Sequence, residues 1–180
     1  DLKKKHLHTP LLKDPVYCQA TSKAIEVLHP VHLSASRPVT DFHAENRLYN
    51  APADAFVTFD HENKGRAYLG FDVVNLFEYG PARIRWDGFA SRLPLIESYM
   101  KRASYEPENL VKEYMAANFL RQDAFLRAWY VGRKKTRDDG IIQLNNTLEL
   151  LASIEQEHGP SELNQSFTEA TRLAKHKLYF

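Results

Sequence analysis

The sequence predicts an all-α fold built as stacked helix-turn-helix repeats, a short α-solenoid. Two observations carry this expectation. Apolar residues recur at helical spacing in segments interrupted by Gly, Pro and short polar turns along most of the 180 residues. Aromatics that open such segments stand at Tyr17, Phe56, Phe89, Phe125 and Phe167, separated by 39, 33, 36 and 42 residues. Periods in this range mark helical repeats in which no pair can bury its apolar face alone. The stretch 89–126 shows the unit: a helical pattern, a polar break at Ser104-Tyr105-Glu106-Pro107, a second helical pattern, and a new aromatic.

Each element follows from local signals. Residues 1–15 hold three consecutive lysines and two prolines and predict an extended arm, whose Leu7, Leu11 and Leu12 could dock on a partner; residues 16–180 predict one helical domain. A helix from Val16 carries Ala20, Ala24, Val27 and Leu28 near one face and is expected to end at His29-Pro30, because proline disfavours helix in the residue before it. Thr40 or Asp41 should cap a short helix through Tyr49, with Asn50-Ala51-Pro52 as its stop. Asp54 should cap a third helix to Gly65. The segment Tyr68 to Tyr79 fits helix or strand, and the repeat spacing favours helix.

The second half reads more regularly. Pro94 is tolerated best in a first turn, so the helix within 89–102 is expected to begin near Leu93. Two helices should follow, 108–120 and then 124–133 opened by Asp123, before an exposed loop GRKKTRDDG at 132–140. A long amphipathic helix, 141–157, carries Ile142, Leu144, Leu148, Leu151 and Ile154 and stops at His158-Gly159-Pro160. Asn164 or Ser166 should cap the last helix, through Lys175.

Composition narrows the function classes. With 24 Lys and Arg against 23 Asp and Glu, the formal charge of +1 gives no overall basic field for nucleic acid, although a local stripe could sit within that balance. One cysteine, Cys18, cannot form an internal disulfide, which favours a reducing compartment, and its expected place is buried. The first residue is Asp1 rather than methionine, the expectation being a processing site or an excised boundary, either of which would hide a removed targeting peptide.

Chemistry-bearing patterns are sparse. Asp41, His43 and Glu45 alternate and Asp60-His61-Glu62 are adjacent, so neither set converges on one helical face. His29 and His32 have helical spacing, but Pro30 lies between them. No Gly-rich phosphate loop, nucleophile elbow or paired-histidine zinc motif is present, and the expectation is that the chain has no catalytic residues, no cofactor and no metal. Two basic clusters stand out as candidate partner-binding residues: Arg83, Arg85, Trp86 and Arg92, where Arg and Trp suit an interface hot spot, and Arg133, Lys134, Lys135 and Arg137 in the predicted loop.

The passage LELLASIEQEHGPSELNQSFTEATRL, 148–173, resembles the junction between two pentatricopeptide repeats: an apolar helix end, a Gly-Pro turn, then an aromatic-led helix. The likeness extends over about residues 16–175 with drifting spacing. It implies a helical-repeat fold and, for most of that family, single-stranded RNA read one base per repeat. The code positions depart from the family. Val57, Ala90, Leu126 and Thr168 follow the aromatics, and Pro52, Arg85, Arg121 and Leu163 stand four residues before them, so a modular RNA code is nearly absent. A repeat protein kept for packing is also similar to the small pentatricopeptide-like accessory subunits of euglenozoan mitochondrial ATP synthase. That resemblance implies a non-catalytic structural subunit in several copies, on the matrix side of the inner membrane, with the ATP synthase alpha subunit as partner. An RNA-binding repeat protein is the alternative expectation. A small enzyme using Cys18 or a His-carboxylate pair is a more distant one.

Overall fold

The computed structural model describes residues 10–38, 47–50, 52, 55–58, 66–68, 70–78, 87–102, 104–130 and 137–179. Among these the fold is mainly helical. Six α-helices occur: α1 (Pro15–Ala35), α2 (Gly70–Glu78), α3 (Leu93–Arg102), α4 (Leu110–Tyr130), α5 (Arg137–His158) and α6 (Glu162–Tyr179). Four short strands make two antiparallel ladders, β1 (Ser36–Pro38) with β4 (Arg66–Tyr68) and β2 (Arg47–Asn50) with β3 (Ala55–Thr58).

Local chemistry explains the helix ends. Asp14 accepts the Val16 amide at 3.0 Å as the N-cap of α1, with Pro15 at the first helical position where its missing N–H costs nothing. Asn109 caps α4 through the Lys112 amide at 3.0 Å, and Ser161 caps α6 through the Asn164 amide at 3.1 Å. The last helix therefore starts ahead of Asn164 and Ser166, which lie inside it. Ser104 turns left-handed at φ 57° after α3, and Gly159 does so at φ 82° after α5.

Several boundaries correct the sequence expectation. α1 runs through Pro30 to Ala35. Proline forfeits one intrahelical bond at a cost of about 3 kcal/mol, which the packing of Tyr17, Ala20, Ala24 and Leu28 offsets. Where helices were expected through Tyr49 and around Phe56, β2 and β3 pair with Tyr49 opposite Phe56 and Leu48 opposite Val57. Alternating aromatic and aliphatic residues suit a pleated pair. α4 is unbroken across Asp123, and α5 begins at Arg137, so Asp138 and Asp139 lie in its first turn, where the helix dipole favours acids. Pro10–Lys13 is a 3₁₀ turn with Leu11 fully buried, so this part of the expected arm docks on its own chain.

α4 is the centre of the packing. α1, α2, α5 and α6 all contact it, and α1 also contacts α6. Phe119 of α4 lies between the other two: its ring centroid is 5.6 Å from Tyr17 of α1 and 4.6 Å from Phe167 of α6, the latter pair stacked at 11°. Lys177 Nζ reaches Asp14 Oδ2 at 2.8 Å and Lys23 Nζ reaches Glu162 Oε1 at 2.7 Å, joining the first and last helices again. The repeat phase does not survive: Phe56 is in a strand and Phe125 is inside an unbroken helix.

Replacing Phe119 with alanine should cost about 3–5 kcal/mol of folding stability, since two aromatic partners lose a contact on opposite sides; chemical denaturation of the variant checks this. The hydrogen bond and charge of Lys177 hold the Asp14 carboxyl below its usual value of 3.8. A lowered folded-state value stabilises above the unfolded-state value and is lost as pH falls through the folded one. Asn keeps the N-cap. D14N should therefore melt below the wild type at neutral pH, with the two midpoints converging as pH falls below about 4.

Candidate functional site

The most constrained polar assembly lies around the turn 87–92 that leads into α3 (Leu93–Arg102). Gly88 has φ 101°, a conformation that L side chains rarely adopt. A Cβ there would clash with the Glu157 Oε1 oxygen, so glycine serves both the turn and the close approach of α5. The Phe89 amide donates to Glu157 Oε1 at 2.7 Å and to Ser153 Oγ at 2.6 Å, and the Ala90 amide donates to Glu157 Oε2 at 2.5 Å. Ser153 also donates to Glu157 Oε1 at 2.8 Å, one helical turn away on α5. A carboxylate thus accepts two successive backbone N–H groups of a turn, the geometry of a backbone anion nest. Phe89 is fully buried, 5.4 Å from Tyr114 and 5.8 Å edge-on to His158.

The other end of the turn enters the interior. Arg92 is 4% exposed and donates from Nη1 to Glu78 Oε1 at 2.8 Å; Glu78, the last residue of α2, is fully buried. The Tyr114 hydroxyl donates to the same oxygen at 2.8 Å, and Gln143 Nε2 donates to the Glu78 carbonyl at 3.3 Å. Burial and then the Glu78 charge push the Tyr114 phenol well above its usual value, with Arg92 opposing, so Tyr114 acts as a protonated donor. Arg121 bonds Asn75 beside this group, linking α4 to α2 once more. The arrangement joins α2, α4, α5 and the 87–92 turn through one residue, Glu78. Its chemical capacity is to fix a turn in place.

Against this geometry the expected site residues divide. Arg92 is a correction: it was expected on a docking surface and is instead buried in the ion pair with Glu78, because a guanidinium out of water requires a counter-charge. Arg137 opens α5. Arg83, Arg85, Trp86, Arg133, Lys134 and Lys135 lie outside the described residues, as do Asp41, His43, Glu45 and Asp60-His61-Glu62. Cys18, expected buried, is exposed on α1. No cluster of three metal-ligating side chains occurs among the described residues, and no helix among them is long and apolar enough to cross a membrane. Glu78, Gly88, Tyr114 and Glu157 were missed as a group. The Asp87-Gly88 pair was a readable turn signal; the acid ending an apolar segment at Glu78 was the other.

Comparison of the chain with protein-family models, curated proteins and solved structures gives no match.

Removing one partner of a buried ion pair leaves an uncompensated charge, a cost of about 3–5 kcal/mol. R92A should be destabilised on that scale. The double variant E78L/R92M, which leaves no charge behind, should recover most of the loss in urea unfolding.

Proposed function

We propose that this protein is a non-catalytic structural or assembly subunit of a larger mitochondrial complex, docking by its helical surface onto the catalytic head of ATP synthase with the alpha subunit as its partner. The observation that carries the docking part is the anchored turn. The residues that follow Arg83, Arg85 and Trp86 in the chain are gripped by Ser153 and Glu157 of α5 on one side and by Glu78 on the other. An interface side chain that leaves a rigid anchor loses less freedom on binding, and Trp and Arg are the residue types enriched at hot spots. The choice of ATP synthase rests on the sequence resemblance alone.

The helical-surface part of the reading draws on the helix-turn-helix pair α5 with α6, whose helices contact each other across the Gly159-Pro160 turn. They supply rigid faces, and the closure of α1 on α6 would make the unit a compact block on a partner surface.

Native size fractionation of a gentle detergent extract, with mass spectrometry of the fractions, tests the complex. Co-migration with ATP synthase is expected; an RNase-sensitive particle would move the reading to RNA binding. With purified alpha subunit, W86A and R85A should each weaken association by about 2 kcal/mol while leaving helicity unchanged. Unaltered binding by both would remove this cluster from the interface.

A further inference from the structure

The contact of α4 with α5 and α6 is lined by neutral polar side chains. Asn118 is 1% exposed and Gln122 fully buried on α4, facing Thr147 of α5 and Thr171 of α6, both buried as well. Asn118 Nδ2 donates to Thr147 Oγ1 at 3.4 Å, and the Thr171 hydroxyl donates to Gln122 Oε1 at 3.3 Å. Each amide has thereby engaged one of its two polar atoms. Asn118 Oδ1 and Gln122 Nε2 have no partner, one an acceptor and the other a donor. Turning either amide over exchanges its oxygen and nitrogen but still leaves one atom of each unmatched. Such atoms are rare in a folded interior, because a buried polar group without a hydrogen bond opposes folding.

The two amides are four residues apart on one helix, which sets their Cβ atoms about 5–6 Å from each other on the same face. Amide heads on side chains at that spacing come within reach of one small bridging molecule. We propose that an ordered internal water is bound there, hydrogen-bonded to Asn118 and Gln122 and making a third bond with the hydroxyl of Thr147 or Thr171. All four side chains are neutral, which selects against an ion. Water both donates and accepts, so it complements the unmatched acceptor and donor whichever way the amides lie, and buried waters ordinarily make about three bonds. Bound there, it would link α4 to the helices on either side and oppose their sliding, since a shifted register would strand both amides.

The test uses the full chain with side-chain amides labelled by ¹⁵N. Rotating-frame water–protein cross-relaxation should give signals from a long-lived water to the side-chain amide protons of Asn118 and Gln122 in the wild type. The same signals to the Thr147 and Thr171 methyls should disappear in N118L/Q122M. Absence of long-lived water at these amides, or a crystal structure with the two amides bonded directly to each other, would overturn the proposal. Water signals at the two threonines that persist in the double variant would overturn it as well. Should that variant not fold, the wild-type measurement decides alone.

Discussion

From Glu113 to Phe119 every residue of α4 is buried. A helix covered around its whole circumference has no solvated face on which to leave a polar group, so every side chain must meet a chosen partner. The rest of the molecule follows from that constraint. One side of α4 presents Phe119 to the aromatic rings of α1 and α6; another presents Tyr114, Asn118 and Arg121 to the polar groups of α2 and α5. Ala116 and Ala117, both fully buried, keep its girth small where neighbours approach. The same economy appears on α1, where Ala20 and Ala24 are also fully buried.

Two kinds of force hold the first and last helices to this centre, and they are unequal. The pairs Asp14–Lys177 and Lys23–Glu162 span the whole chain, but they are exposed enough for water and salt to screen them. The ring stack through Phe119 is dry and independent of pH. Asp14 has a further role that does not depend on its lysine, since it begins α1 as an N-cap. The buried Glu78–Arg92 pair answers a different need. Its energy relative to a well-packed apolar pair is modest, whereas its directionality, with Tyr114 and Gln143 on the same residue, fixes where the 87–92 turn enters.

Where sequence signals were local and strong, they were legible. Pro94 put the start of α3 at Leu93, and His158-Gly159-Pro160 put the end of α5 at Glu157, one residue short of the observed His158. Where the deciding contacts were distant, they were not. Pro30 looked like a stop because the packing that carries α1 through it comes from α4 and α6. Asp123 looked like a cap because nothing nearby in sequence reveals that it is buried within a continuous helix. The β2–β3 hairpin was hidden by a repeat spacing that fell on Phe56 by chance. For the site, arginine at position 92 was legible as important but its surroundings were not: its carboxylate partner lies fourteen residues back and its tyrosine on another helix.

The chain closes on itself, with α1 and α6 sharing the α4 core instead of lying at opposite ends of an open stack. Ring-proton nuclear Overhauser effects in protein with selectively labelled Tyr and Phe measure this directly. Closure predicts cross-peaks from Phe119 to both Tyr17 and Phe167. A Phe119–Phe167 cross-peak without one to Tyr17 would detach α1 from the centre and contradict the account.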